Sequence, residues 1–405
     1  MTRKKFLRQK NDHSGYTTLR MKYLVSLILF SFLIVTCNQN EHASALPAAR
    51  HTEPVLADSL KYKAERYRID TLFRKLYQAD AFNGNVLIAK GSTIIYQKSF
   101  GYAIKEHNIL LTDTSLFQLA SVSKVITGIA VLKLKEQGKL DLETPVSDIL
   151  TGFPYAGVTV KQLLTHRSGL PNYLYFCSGL LPEKPELITG QDVLDVMIAQ
   201  KPKAWLKPDT RFNYCNTNYA LLALVIEKIS GQPYSQFLAE QIFMPLGMNH
   251  TFTQNTLDVK GPNITHGYTM KYHEVARDRN DGVLGDKGIY TTTYDLFLLS
   301  NALYRNTLLS KETQDMAYMA YSAEKKLSNY GLGWRMNLNA PSKEVFHNGW
   351  WHGYRTSFHR RLKDSLTIIV LSNRLNKSVY NTWRIYSAID GVAPVDSTSE
   401  GPETE

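Results

Sequence analysis

Residues Phe117 to Leu134 have the most informative local sequence in the chain, FQLASVSKVITGIAVLKL. It places Ser121 and Lys124 three residues apart at the head of a mostly apolar run, which predicts a buried helix ending before Gly138. Residues i and i+3 are neighbours on one helix face. Burial strips water from a lysine and lowers its pKa towards the neutral amine, which can take the proton of a hydroxyl beside it. The free N–H groups at the helix N-terminus suit an oxyanion.

The S-x-x-K pattern alone is weak, because Ser322 and Lys325 repeat it in a charged segment. Ser121 could instead cap the helix while Lys124 reaches solvent. Two further segments favour a reactive pair. Tyr214-Cys215-Asn216 precedes another apolar helix, and His347-Asn348-Gly349 stands at the end of a predicted strand.

Together, S-x-x-K, Y-x-N and H-x-G resemble, in order and separation, the motifs of serine hydrolases related to class C β-lactamases and penicillin-binding DD-peptidases. The segments LLTHRSGLPNY, GDKGIYTTTYDL and YGLGW, which begin at residues 163, 285 and 330, also look like segments of that family. The resemblance covers about residues 65–390. It implies a β-lactamase/transpeptidase-like fold and an acyl-enzyme mechanism that needs no cofactor or metal.

By this resemblance, Ser121 is the nucleophile, and Lys124 and Tyr214 form the proton-transfer pair. Which of the two is the base stays open, since they would titrate as a coupled unit. Asn216 should hydrogen-bond the substrate's amide or the lysine. The backbone N–H groups of Ser121 and Trp350 should form the oxyanion hole, Trp350 being placed on an edge strand.

The third motif, His347-Asn348-Gly349, is expected to bind substrate but departs from the β-lactamase pattern K-T-G. Histidine is only partly charged near neutral pH, and asparagine lacks the hydroxyl that helps to hold a substrate carboxylate. The resemblance therefore implies a DD-peptidase, D-aminopeptidase or esterase with weak or no β-lactamase activity. Its substrate would be a small peptide, ester or β-lactam-like molecule, with specificity in the loop from Pro171 to Pro208.

Residues near these motifs have structural interpretations as well. The side chains of Trp350, Trp351 and Tyr354 either wall the pocket or pack in the core. Arg355 either meets a substrate carboxylate or, more typically for a strand residue, forms a salt bridge. Other residues are expected to be structural: His166 as a hydrogen-bonded histidine, Cys215 as a core residue, and Cys177 unpaired with it.

The order of predicted elements indicates an α+β or α/β fold. β-rich segments at both ends of residues 58–392 bracket a mostly helical middle from about Thr114 to Tyr304. The simplest arrangement is one antiparallel sheet from both chain ends, flanked by terminal helices, with the middle as an inserted helical lobe. Residues 393–405 are acidic, lack apolar anchors and are expected to be a disordered tail.

The N-terminus predicts export. Residues 1–20 look like an upstream extension, and residues 21–36 carry the basic residue Lys22 and an apolar run too short to span a bilayer, as in a signal peptide. Cys37 follows as in a bacterial lipobox, which predicts lipidation, membrane anchoring in the cell envelope and a polar linker over 37–57. The alternative is ordinary signal cleavage and a secreted or periplasmic protein.

Composition and spacing argue against three other function classes. The net charge of +11 is concentrated before residue 23 and follows no nucleic-acid-binding motif, which excludes that class of partner. His347 and His352 lack a carboxylate at metal-binding spacing, which argues against a zinc hydrolase. A non-catalytic cell-envelope binding protein on the same fold remains the alternative, and the intact Ser121, Lys124 and Tyr214 argue against it.

Overall fold

An eight-stranded sheet is built from both ends of the chain, as the sequence predicts. The computed structural model describes residues 55–56, 60–180, 187–257, 263–324, 328–338 and 343–392. The predicted export signal, Cys37 and the acidic tail lie outside these residues. Along the chain, the strands are β1 Val55–Leu56, β2 Gly84–Lys90, β3 Thr93–Phe100, β4 Tyr102–Ile104, β5 Ile109–Leu110, β6 Phe117–Gln118, β7 Phe252–Thr253, β8 Ile289–Thr291, β9 Ser328–Tyr330, β10 Arg335–Asn337, β11 Glu344–Trp351, β12 Tyr354–Arg361 and β13 Leu366–Ser372.

The strand order in the main sheet is β1-β3-β2-β13-β12-β11-β10-β9. The pairs are antiparallel except for β1 with β3. Two small sheets, β4-β5 and β6-β8-β7, connect this sheet to the helical part of the chain. Strand β13, near the end of the chain, pairs with β2, near its start. The sheet is therefore built from both chain ends, as predicted.

Strand β1 corrects the predicted linker over 37–57. Val55 and Leu56 pair with Thr93 and Ile94 of β3. The outer edge of β3 offers unpaired backbone groups, and adding a short strand satisfies them. The folded part of the chain therefore includes residues before the predicted start at 58.

Helices cover both faces of the main sheet. Their bounds are α1 Lys63–Gln78, α2 Ser123–Glu136, α3 Val146–Ile149, α4 Val160–Leu164, α5 Tyr173–Leu180, α6 Gly190–Gln200, α7 Asn216–Ser230, α8 Tyr234–Leu238, α9 Met244–Leu246, α10 Thr293–Tyr304, α11 Lys311–Ala317 and α12 Thr382–Asp390. Helices α1 and α12 pack on one face, and α2 to α9 belong to the predicted helical lobe. Within the described part of the chain, no helix is both long and apolar enough for a bilayer crossing.

Strand β13 shows why a strand at the centre of the sheet has a nearly continuous apolar sequence. Ile368 and Val370 pack with the terminal helices, whereas Ile369 and Leu371 pack with the core that includes the lobe. Successive side chains of a strand point to opposite faces, so a strand covered on both sides needs apolar residues at every position. The fold class predicted from the sequence is confirmed.

Candidate active site

Ser121 lies in a single tight helical turn, Ala120–Val122, that leads directly into α2. The residue is only 7% exposed, and the preceding Ala120 has a φ of +49°, which is strained for a residue with a Cβ. Strained backbone conformations cluster at functional sites, because the surrounding structure must hold them in place. The turn thus fixes the Ser121 hydroxyl at the boundary between the lobe and the sheet.

Lys124 is fully buried beside Ser121, as the sequence predicts. Its Nζ lies 2.9 Å from Ser121 Oγ and donates to Asn216 Oδ1 at 2.8 Å and to the Asp286 carbonyl oxygen at 2.9 Å. The two carbonyl oxygens can only accept, so they fix two N–H groups of the amine and leave Ser121 in a third direction. A neutral amine held this way points its lone pair towards the Ser121 hydroxyl. Of the two partners expected for Asn216, the lysine is the one in contact.

The ring of Tyr214, just before α7, also lies near the Lys124 amine. Its centroid is 5.0 Å from Lys124 Nζ and 5.0 Å from the guanidinium carbon of Arg335. A cation beside a phenol stabilises its phenolate form; Arg335 supplies one positive charge, and Lys124 supplies a second whenever it holds the proton. Ser121, Lys124, Tyr214 and Asn216, predicted from separate motifs, therefore meet at one place.

The His347 side chain, expected to bind substrate, lies inside the protein. It is fully buried on β11, its Nδ1 donates to the Asn348 carbonyl oxygen at 2.7 Å, and its Nε2 accepts from the Tyr330 hydroxyl at 3.0 Å. Burial, followed by the charges of Arg335 and Lys124, holds the pKa of His347 well below its usual value. The imidazole is neutral and both nitrogens are engaged, so it does not offer a cation to a substrate carboxylate.

Asn348 and Gly349, also expected to bind substrate, have contacts of their own within the protein. The Asn348 side chain lies on the opposite face of β11 from His347, where its Oδ1 accepts from Ser357 at 2.9 Å. A Cβ at Gly349 would lie within 3.0 Å of the Leu119 carbonyl oxygen and the Thr356 hydroxyl. The glycine therefore allows β11 to approach the turn that carries Ser121.

The register of the β11–β12 hairpin directs the Trp350 N–H towards that turn. Trp351 pairs with Tyr354 across His352-Gly353, whose φ values of +37° and +83° are those of a type I′ turn. In such a hairpin the pair next to the turn is hydrogen-bonded, so the backbone groups of Trp350 point away from β12. Strand β11 is not the edge strand of the sheet, which corrects the prediction, but β10 pairs only with Glu344–Phe346 and leaves this edge open at Trp350.

The aromatic residues of this hairpin, expected either to wall the pocket or to pack in the core, differ in their surroundings. Trp351 lies against Lys287, whose Nζ is 4.7 Å from its ring, while Tyr354 is buried in the core. Trp350 is 40% exposed, and the guanidinium of Arg355 lies 5.4 Å from its ring. Among the carboxylates that the structure describes, none forms the predicted salt bridge with Arg355, which contacts aromatic rings instead.

His166 and the cysteines have the structural roles that the sequence predicts. His166 is fully buried, and its Nδ1 accepts from the Cys215 N–H at 3.2 Å and the Asn218 amide at 3.1 Å. Burial, aided by the nearby positive charges, holds its pKa well below the usual value. Cys177 and Cys215 are buried free thiols.

Sequence reasoning missed four residues at this site: Asp286, Lys287, Tyr330 and Arg335. All four lie in or directly after segments that were recognised, GDKGIYTTTYDL and YGLGW. A signal for two of them was available, because Asp286 and Lys287 are charged residues inside a Gly-rich apolar segment. Both are nearly fully buried, and their contacts were not predictable from local sequence.

Two groups of described residues have the composition of a metal site. They are Glu106, His266 and Glu274, and Asp278, Asp281 and His352. The second group supplies the carboxylates that sequence spacing did not place near His352. The two ring nitrogens of His352 face Asp281 at 3.2 Å and Asp278 at 3.4 Å. Each nitrogen therefore has a carboxylate partner, and an ion pair explains this group of residues.

The His352 ion pair predicts a pH-dependent contribution to stability. Burial opposes the charge on His352, but the hydrogen bonds and negative charges of Asp278 and Asp281 raise its pKa to about 9. A raised folded-state pKa stabilises the protein fully below pH ~6.5, the unfolded value, and this contribution is lost as pH rises through about 9. We expect the difference in unfolding free energy between wild type and His352→Asn to shrink by ~1–3 kcal/mol from pH 6 to pH 10.

Asparagine suits the positive φ of His352 and removes only the titrating ring. Denaturant unfolding at the two pH values measures the difference. An equal difference at both pH values would show that folding does not raise the pKa of His352.

Comparison with known proteins agrees with this arrangement. The Beta-lactamase family matches residues 69–389. Penicillin-binding protein 4* of Bacillus subtilis is 35% identical over 335 residues, covering 78% of this chain and 73% of that protein. Among solved structures, an octameric penicillin-binding protein homologue from Pyrococcus abyssi is 26% identical with a TM-score of 0.72, covering 81% of this chain and 78% of that one.

A more distant structure shares the fold. The D-amino acid amidase of Ochrobactrum anthropi SV3 aligns with a TM-score of 0.67 at 21% identity, covering 81% of this chain and 98% of the amidase. The buried Ser121–Lys124 pair and the family match over most of the chain lead to one assignment. The chain belongs to the Beta-lactamase family and is a serine hydrolase.

Proposed function

We propose that Ser121 attacks the carbonyl carbon of a small ester or amide and that Lys124 is the base in this step. The Ser121 hydroxyl proton passes to Lys124 Nζ as the Oγ–C bond forms. The N–H groups of Ser121 and Trp350 stabilise the negative oxygen of the tetrahedral intermediate. The bond to the leaving oxygen or nitrogen then breaks, and that atom takes a proton from the Lys124–Tyr214 pair. Water hydrolyses the acyl-enzyme by the reverse transfers.

One observation carries this proposal: a fully buried amine lies 2.9 Å from Ser121 Oγ while two carbonyl oxygens accept hydrogen bonds from the same nitrogen. An amine in this setting loses hydration, and loss of hydration favours its neutral form. A lysine that only snorkels would place its Nζ in water. The contacts therefore support Lys124 as the proton acceptor, with Tyr214 as its partner in returning the proton.

The neutral His347 supports a substrate preference. In the family's K-T-G pattern a lysine at this position helps to hold a substrate carboxylate, and a buried neutral imidazole with both nitrogens engaged does not replace it. The proposed substrates are short D-amino-acid peptides, amides and small esters, with β-lactams as poor substrates. The names of the relatives, a penicillin-binding protein and a D-amino acid amidase, agree with this range.

A comparison of turnover tests this preference. We expect a short-chain nitrophenyl ester to be hydrolysed with a kcat/KM at least ~10-fold above that of a chromogenic cephalosporin, because the cephalosporin carboxylate lacks its charged partner. A fluorophosphonate probe should label wild type but not Ser121→Ala. Fast cephalosporin turnover without ester cleavage would contradict the substrate class. Absence of labelling at Ser121 would instead favour a non-catalytic binding protein.

We also propose that Cys37 is lipidated and anchors the enzyme in the bacterial cell envelope. The basic residues, the apolar run and the cysteine that follows it support this location. We expect the full chain in a bacterial host to incorporate a labelled fatty acid and to sediment with membranes, and Cys37→Ser to lose both properties. Equal fatty-acid incorporation by the variant would contradict the anchor, and release of both proteins into the soluble fraction would favour ordinary signal cleavage.

A further inference from the structure

A buried loop contacts both parts of the proposed catalytic machinery. It runs from Gly285 to Gly288, between a short helical turn, Arg279–Gly282, and β8. Both glycines have positive φ, +98° and +87°. A Cβ at Gly285 would lie within 3.0 Å of the Tyr219 carbonyl oxygen on α7. The loop is therefore pressed against the helix that carries Asn216.

The residues between these glycines are an acid and a base, both buried. Asp286 is 2% exposed and Lys287 is 3% exposed. The Asp286 carbonyl oxygen accepts from Lys124 Nζ, while its side-chain Oδ2 accepts from the Tyr173 hydroxyl at 3.0 Å. Lys287 donates to the Tyr173 oxygen and lies 3.4 Å from Asp286 Oδ2. Asp286 thus contacts the reactive Lys124 amine through its backbone carbonyl oxygen and the second buried lysine, Lys287, through its carboxylate.

This network extends to the helix that carries Asn216. The Tyr173 backbone N–H donates to Thr217 Oγ1 at 2.7 Å, and Thr217 directly follows Asn216. Burial of an ion pair is costly in free energy, and its contribution to stability over an apolar substitute is small or negative. A buried pair that is linked both to the amine and to the helix that carries its amide partner is better explained by what it positions than by stability.

Lys287 also contacts the strand that carries the Trp350 N–H. Its Nζ lies 4.7 Å from the centre of the Trp351 ring, and the indole Nε1–H donates to Asp281, on the turn before the loop. Trp351 directly follows Trp350 in β11. Movement of Lys287 would therefore disturb the amine and the oxyanion-hole strand together.

We infer that Asp286 and Lys287 are positioning residues that hold the Lys124 amine and the Trp350 N–H in register with Ser121. This inference rests on the proposed function. The pair acts through the Asp286 carbonyl oxygen on one side and through Trp351 on the other, without contact with substrate. Loss of the Lys287 cation leaves the Asp286 carboxylate short of a partner, and the carbonyl oxygen of the same residue loses its fixed position.

The test measures the fluorophosphonate labelling of Ser121 in wild type and Lys287→Met. The rate constant and the labelled fraction are recorded separately. We expect the rate constant to fall ~10- to 100-fold, with nitrophenyl-ester kcat falling and KM changing less than ~3-fold. Lys287→Arg, which keeps the cation, should recover part of the rate. Lys133→Met on α2 is the control, because Lys133 is a partly buried lysine on the same helix as Lys124 but is not part of the site.

Each outcome separates this inference from the function on which it rests. Absence of wild-type labelling overturns the proposed function. Wild-type labelling with an unchanged rate constant in Lys287→Met overturns only the inference, and a reduced labelled fraction with an unchanged rate constant would mean that the pair serves folding alone. If Lys287→Met does not fold, Tyr173→Phe removes only the bridging hydroxyl, and an unchanged rate constant there overturns the inference as well.

Discussion

Replacing Lys124 with methionine should reduce kcat/KM for a nitrophenyl ester by about 10³-fold. Methionine keeps much of the apolar stem but removes the amine that contacts Ser121, Asn216 and Asp286. General-base catalysis contributes typically ~10²- to 10⁴-fold, and Lys124 Nζ lies within hydrogen-bond distance of the Ser121 hydroxyl, at 2.9 Å. Steady-state hydrolysis of the ester measures the loss.

The control for this substitution is again Lys133→Met, which should keep near wild-type activity. Circular dichroism should show that both variants fold. Lys124→Met leaves the Asn216 and Asp286 carbonyl oxygens without the amine as donor, so we expect an intact fold with a moderate loss of unfolding free energy. A Lys124→Met enzyme within about tenfold of wild type would contradict the role of the amine.

Gly349→Ala should affect both activity and stability. The added methyl group would overlap the Leu119 carbonyl oxygen and the Thr356 hydroxyl, which pushes β11 away from the Ser121 turn. Loss of one oxyanion-hole donor costs ~10²- to 10³-fold in kcat. Overpacking typically costs a further ~1–3 kcal/mol of unfolding free energy. Ester hydrolysis and denaturant unfolding measure the two effects.

Gly190→Ala is the matched control for this change. Gly190 is the first residue of α6, its φ is not in the left-handed region, and an added Cβ would make only ordinary contacts at 3.6 Å. Alanine there should be neutral or slightly stabilising, because it favours the helix. If Gly349→Ala behaves like Gly190→Ala, then close approach of β11 to the Ser121 turn is not needed for catalysis.

The parts of the site that the sequence predicted are those with a local pattern. The spacing of Ser121 and Lys124 on an apolar helix is enough to place the amine beside the hydroxyl. The strands near the C-terminus are predicted by short apolar runs that lie between turn residues. The alternation of side chains along β11 also predicts that His347 and Asn348 face opposite sides of the sheet. The family resemblance nevertheless implied a substrate-binding role for both residues.

The parts that were missed depend on contacts between distant segments. Asp286 meets Lys124 across 162 positions in the chain, through a carbonyl oxygen that no side-chain pattern reveals. The ion pair of His352 with Asp278 and Asp281 requires the hairpin turn and the Arg279–Gly282 turn to meet. The neutrality of His347 likewise follows from burial and from Tyr330, which only the folded chain brings together.

If Lys124 takes the proton of Ser121, the pH dependence of a single turnover must show it. The measured quantity is the rate constant of Ser121 acylation by an activated ester, in wild type and in Lys124→Met. We expect the wild-type rate to rise with pH in a step that belongs to the coupled Lys124–Tyr214 pair, and the variant to lack this step and react about 10³-fold more slowly at neutral pH. The same step at a comparable rate in the variant would show that another group accepts the proton.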